Sequence, residues 1–304
     1  MPIAAVTGAT GFVGPHLVAA LARHGWKLRL LMRRWTPLPS LADVEADIVW
    51  GDLADEASLK ALVRGADAVV HAAGLIKARR PGEFEVVNLG GTARLSAATA
   101  PNVPFLLLSS LAAREPKLSL YAYSKRSAEA TVAERAGPWL AVRAPAVYGP
   151  GDRETLAYFK MAKRGFALQP AVADARLSLI HVEDLAEALA LALDHGLPSR
   201  VFEIDDGHPG GYSHADMAAA AAAALGRPVR PVRIGQGIMG AVASLNSLRP
   251  GPQILSPAKV RELFHSDWTV HEHGLADALG FSARYGLQAG FRHTILWYRE
   301  RHWL

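Results

Sequence analysis

Apolar positions in the first two-thirds of the chain alternate between two patterns. Short unbroken runs occupy residues 3–7, 27–32, 47–50, 67–72, 103–109 and 139–143, as strands buried on both faces would. Between them, segments such as 12–24 and 56–63 repeat apolar residues every three or four positions, the period of a helix with one covered side. Strand and crossover helix in alternation predict βαβ units and a parallel sheet. Pro15 falls in the first turn of the first helix, where a missing N–H does little harm. Beyond YGPG at 148–151 the alternation weakens, and glycine and proline separate shorter helical pieces. A topological change is expected there. A further strand at 200–204 returns to the sheet, and residues 235–252 read as a mobile, partly apolar connection.

Composition narrows the class without naming it. With 304 residues, 50% hydrophobic and 20% charged, the chain can bury a substantial core, which excludes fibrous and disordered readings. It has no cysteine, so disulfides, thiolate metal sites and cysteine nucleophiles are excluded. A net charge of +5 with scattered arginines gives a nucleic-acid partner little to grip. The N-terminus lacks the basic stretch of a signal peptide, and the most apolar run, 215–225, is too short to span a bilayer. The expectation is a cytoplasmic protein with a small-molecule substrate and neither nucleic-acid nor membrane partner. His271 and His273 are a weak ligand pattern, and no metal is expected.

TGATGFVG at residues 7–14 follows a predicted strand and opens a predicted helix. Glycines in that place permit a tight turn and close backbone approach, so the helix N-terminus presents N–H groups to a pyrophosphate. The second strand ends in Met32-Arg33-Arg34, where NAD-binding folds put an acid on the ribose and NADP-binding folds an arginine near the 2′-phosphate. NADP is therefore the preferred cofactor, with NAD possible. Tyr121 and Lys125 lie four apart in a helical segment, on one face. An ammonium beside a phenol favours the phenolate, and a tyrosine so tuned can exchange a proton with an alcohol or carbonyl oxygen. Ser109 and Ser110 end a predicted strand, where either hydroxyl could bond a developing alkoxide.

Taken in order, TGATGFVG, GDL at 51–53, HAAG at 71–74, VNLGGT at 87–92, SS at 109–110, YAYSK at 121–125, RAPAVYGPGD at 143–152 and IHVEDLAEA at 180–188 resemble the extended short-chain dehydrogenase/reductase superfamily. Within it the match is to the NAD-dependent epimerase/dehydratase family. The resemblance implies an α/β fold: a Rossmann-type doubly wound parallel sheet formed by residues 1–150 and 182–207. A smaller, mostly helical substrate lobe would comprise 151–181 and 208–304. By that likeness Gly8, Gly11 and Gly14, with Thr10, Phe12 and Val13 between them, would hold the pyrophosphate. Arg33 and Arg34 would meet the adenosine end, and Asp52 and Leu53 would flank the adenine. Ala72, Ala73 and Gly74 would line the cofactor, and Pro145 and Val147 would pass beside the nicotinamide. Ser110, Tyr121 and Lys125 match the catalytic set, with Asn88 as a structural and relay residue; a one-residue slip would put Ser109 in place of Ser110. His181 and Asp184 would pack between the lobes, and a homodimer is possible.

The chain departs from the nucleotide-sugar members of that family. Its interval from Ser110 to Tyr121 is short, Ala146 stands where they have asparagine, and Leu177 where they have arginine, with Arg176 one step away. The leading expectation is an NAD(P)-dependent oxidoreductase acting at a secondary alcohol or ketone. An epimerase or dehydratase with retained cofactor, and a non-catalytic NADP-binding sensor, are the alternatives.

Overall fold

The computed structural model describes residues 1–36, 44–80, 82–196, 198–247 and 255–304. They divide into two compact units: Met1–Ala144, Leu185–Ile204 and Glu272–Phe281 make the first, and Pro145–Asp184, Asp205–His271 and Ser282–Leu304 the second. The chain begins β1 (Ile3–Thr7), α1 (Gly14–Arg23), β2 (Lys27–Met32), β3 (Ala46–Trp50), α2 (Glu56–Val63), β4 (Ala68–His71), α3 (Gly90–Ala98), β5 (Phe105–Ser110), α4 (Leu120–Ala133) and β6 (Trp139–Ala144). It continues through β7 (Ala146–Tyr148), α5 (Glu154–Lys163), β8 (Phe166–Pro170), β9 (Arg176–Leu177), β10 (Leu179–His181), α6 (Val182–Asp194) and β11 (Arg200–Glu203). Then come β12 (Tyr212–Ser213), α7 (His214–Leu225), β13 (Arg230–Ile234), α8 (Gln236–Ser247), α9 (Pro257–Leu263), β14 (Asp267–Trp268), α10 (Gly274–Leu279) and α11 (Leu287–Glu300).

Seven strands of the first unit form one sheet in the order β11-β6-β5-β4-β1-β2-β3, every pair parallel. Each predicted strand is present, with ends shifted by two residues at most. The order runs outward in opposite directions from β1 and β4, so the crevice beyond their C-terminal ends is the ligand position of a doubly wound sheet. β4 is buried at all of its residues, as a central parallel strand requires. Leu59, Leu62, Val69, Leu95, Phe105, Leu107 and Val132 fill the layer between sheet and helices. Side-chain caps fix where helices begin: Asp55 accepts the Ala57 N–H and Ser119 the Ala122 N–H, each such cap contributing about 1 kcal/mol.

The second unit packs its helices and small sheets around Tyr148, Phe159, Leu179, Phe291 and Tyr298. Where the pattern at 235–252 suggested a connection, the structure has a helix, α8, over Gln236–Ser247; 248–252 lie outside the described residues. Gly237 and Gly240 lower helix propensity by about 1 kcal/mol each. The spacing of Ile238, Val242 and Leu245 nevertheless keeps a helical period. Among the described residues no helix is long and apolar enough to cross a membrane.

Candidate active site

The turn from β1 to α1 is closed by the Gly11 N–H donating to the Gly8 carbonyl at 3.0 Å. Gly8 has φ +83° and a Cβ there would lie 2.5 Å from the Ala73 nitrogen, while a Cβ on Gly14 would overlap the Gly8 carbonyl. Both glycines are therefore demanded by the fold. Gly11 is different. Its φ is outside the left-handed region, and the Gly8 oxygen at 3.3 Å is the nearest atom a Cβ would meet. No side chain caps the first turn of α1 at Val13. Thr10 is exposed, and Phe12 and Val13 are half-buried.

Arg33 and Asp52 line one open cleft together with Gly51, Ala54 and Asp55. The Asp52 carboxylate accepts the Ala54 N–H at 2.7 Å. Leu53 packs where a Cβ on Gly91 would lie 2.8 Å away. Arg34 is exposed, and Pro145 and Val147 belong to the second unit, where Val147 pairs with Ile180. Asp43, the first acid after β2 in the sequence, lies outside the described residues.

On α4, Lys125 is buried and its Nζ donates to the Leu108 carbonyl on β5 at 2.6 Å. Burial pulls this ammonium down to about 8, against the opposing field of the Glu129 carboxylate. Gly74 stands beside it, since a Cβ there would lie 4.0 Å from Lys125 Nζ and 3.3 Å from Asn88 Oδ1. Tyr121, in the first turn, is half-buried with its ring 5.9 Å from that of Phe84. The two serines separate by their partners. Ser109 is buried and donates to Glu129 Oε1 at 2.5 Å, whereas half-buried Ser110 accepts the Ala112 N–H at 3.2 Å. Ser110 keeps its proton for donation elsewhere.

A run of hydrogen bonds ties the glycine turn to α4. Thr7 Oγ1 lies 2.6 Å from His71 Nδ1, and His71 Nε2 lies 3.0 Å from Thr92 Oγ1. Thr92 donates to the Asn88 carbonyl at 2.6 Å, so it must accept from Nε2–H of the imidazole, and Nδ1 then accepts from Thr7. The Asn88 amide donates to Ser124 Oγ at 2.9 Å, which donates to the Tyr121 carbonyl at 2.8 Å. Asn88 also pairs with both backbone groups of Leu75, which with Ser124 commits both of its N–H donors and makes it a positioning group. Burial, reinforced by the Lys125 charge, pushes His71 down to about 3, in keeping with this neutral tautomer. His71, Thr92, Ser124 and Glu129 were not singled out from sequence. The signal was there in His71, a polar residue closing the apolar run AVVH, which had to find partners.

Beneath β5, Glu129 receives Arg143 through two bonds, of 2.9 and 2.7 Å. Arg143 also reaches Glu203 at 3.5 Å. In the second unit, His181 Nε2 lies 3.2 Å from His293 Nδ1. Among the described residues, these together with Glu183 are the groups close enough to hold a metal ion, although the Glu183 carboxylate already accepts from Arg284 and Tyr285. Asp184 accepts from Arg284 and from the Tyr285 N–H within the same unit.

Residues 4–205 match the model of the NAD dependent epimerase/dehydratase family. The ceramide reductase of Caulobacter vibrioides is 42% identical over 99% of this chain and 96% of its own. The 4-hydroxy-2-methyl-3-oxo-4-farnesyl-3,4-dihydroquinoline-1-oxide ketoreductase of Stigmatella aurantiaca is 28% identical over 67% of this chain and 68% of its own. Among solved structures, gox2253 superposes with a TM-score of 0.79 at 22% identity, covering 100% of this chain and 99% of that one. MoeE5 in complex with UDP-glucose and NAD gives 0.74 at 24%, with 99% and 100% covered. At such identities the likeness is one of fold.

Proposed function

The chain belongs to the NAD-dependent epimerase/dehydratase family, and from that premise we propose that it is an NADP(H)-dependent reductase converting a ketone on a ceramide-type lipid to the secondary alcohol. The observation that carries this reading is the 42% identity, end to end, with a ceramide reductase.

The residues fit a dinucleotide. A Cβ on Gly11 would meet only the Gly8 carbonyl oxygen, tightly at 3.3 Å, and a diphosphate pressed against that backbone would add a further reason for glycine there. Gly8, Gly14 and the amides of Thr10, Phe12 and Val13 complete that cradle. Arg33 and Arg34 would take the 2′-phosphate, Asp52 and Leu53 the adenine, and Ala72, Ala73 and Gly74 the middle of the cofactor. When bound, the reduced nicotinamide supplies a hydride to the carbonyl carbon.

The chain's own groups manage the oxygen. Ser110 donates its free O–H to the carbonyl oxygen and orients it. Tyr121 delivers the proton from its phenol as negative charge builds on that oxygen. Lys125, one helical turn on and charged below about pH 8, stabilises the phenolate left behind. Asn88 and Ser124 hold the helical turn that carries Tyr121.

The test is to mix the chain with NADPH and a ketone-bearing ceramide and to follow the loss of NADPH absorbance and the lipid product by mass. Stoichiometric alcohol and NADP+ are expected, together with no nucleotide released on heating the purified protein. A tightly retained dinucleotide and no net NADPH consumption would replace this reading by an internal hydride return, as in an epimerase.

A further inference from the structure

We propose that α8 and β13 form a docking surface for an anionic lipid bilayer, on which the chain rests without crossing it. This goes beyond the proposed reaction and does not depend on which ketone is reduced.

Three observations converge. Ile238, Val242 and Leu245, at i, i+4 and i+7 on α8, are 67%, 46% and 66% exposed; scattered exposed apolar residues are ordinary, but a stripe at helical spacing is not. The strand pair just before α8 in the chain is also exposed. β13 runs parallel to β8 with Val232 opposite Leu168 and Arg230 opposite Phe166, and all four side chains are exposed. One residue, Gly235, separates that sheet from α8.

The chain segments that supply this surface carry charge of one sign. No acid occurs between Asp216 and Glu262, nor between Glu154 and Asp174. Within these stretches Lys163, Arg164, Arg227, Arg230 and Arg233 are all exposed. A stripe of aliphatic side chains flanked by uncompensated cations matches the boundary between acyl chains and anionic headgroups, each cation near such a surface adding about a factor of five to affinity. A second copy of the chain fits poorly, because like charges would meet across the contact. A nucleic acid offers nothing to Ile238 or Leu245.

The full chain is to be sedimented at low salt with vesicles of phosphatidylcholine alone or mixed with phosphatidylglycerol. Binding to the mixed vesicles, weakened by added salt and absent with phosphatidylcholine alone, is expected. Arg230→Gln should weaken it about fivefold, and Ile238→Ser with Leu245→Ser about tenfold or more. Because these side chains are exposed, the thermal midpoint and NADPH binding of both variants should stay at the wild-type values. Wild type left in solution with either vesicle would overturn the proposal, as would variants that sediment like wild type. So would a dimer that light scattering shows to dissociate in the Ile238→Ser, Leu245→Ser variant while vesicle binding is unchanged.

Discussion

In the first unit the informative cations are inside: Lys125 bonds a strand carbonyl and Arg143 a buried carboxylate. In the second, Arg230 and Arg233 stand in water with no acid nearby in the chain. The same charge does different work in the two settings. Burial moves an ammonium toward neutrality and makes it responsive to pH, while exposure leaves it permanently charged and available to a partner surface. Buried Lys125 is thus responsive through its proton, whereas an exposed arginine acts through its field.

That contrast can be broken most severely at Tyr121. Tyr121→Phe keeps the ring against Phe84 but removes the proton, so kcat should fall by a factor of about 100 to 10,000 with NADPH affinity retained, as steady-state kinetics and fluorescence titration would show. Undiminished turnover would take the phenol out of the reaction. Next, Glu129→Ala takes from the Arg143 guanidinium its two-bond carboxylate and leaves it only Glu203 at 3.5 Å; a loss of up to about 3 kcal/mol is expected in urea unfolding.

Protonation sharpens the comparison further. His71, held at about 3 rather than 6.5, binds its proton more readily in the unfolded chain, so between those pH values stability should rise with pH by up to about 1.4 kcal/mol per unit. Acidification removes it again, and His71→Gln should flatten that part of the profile.

Lys125 gives two opposed slopes. Its ammonium is lost above about pH 8, so kcat should decline there. The unfolded chain, with the ordinary value of 10.5, keeps the proton longer, so the group's contribution to stability rises between about 8 and 10.5. A rate unaltered across pH 8, measured alongside a denaturation series, would separate Lys125 from Tyr121. The smallest effect belongs to exposed Arg33: Arg33→Ser should reduce the preference for NADPH over NADH about tenfold, read from the two dissociation constants.

Much of this was legible from the chain. Parallel strands buried on both faces leave unbroken apolar runs, which is why β1, β2 and β4 to β6 could be located, and glycines at 8 and 14 announce a turn that no side chain can enter. The polar interior was not legible, because a hydrogen bond between residues 64 apart, such as Thr7 to His71, leaves no trace in local periodicity. The choice between Ser109 and Ser110 is the same problem in miniature. Adjacent and chemically identical, they are told apart by Glu129, 20 positions from Ser109. α8 was missed for another reason: glycine lowers propensity, but packing on one side, where Ala243 is fully buried, decides whether a helix forms.

The bonded path from Thr7 through His71, Thr92 and Asn88 to Ser124 has a fixed polarity, since each hydroxyl has one acceptor and the imidazole one tautomer. Reversing it would take the Thr92 hydroxyl from the Asn88 carbonyl, and protonation of the ring is resisted down to about pH 3. The separation of the glycine turn from Tyr121 is therefore gauged ahead of time by the scaffold, like a jaw already set to width.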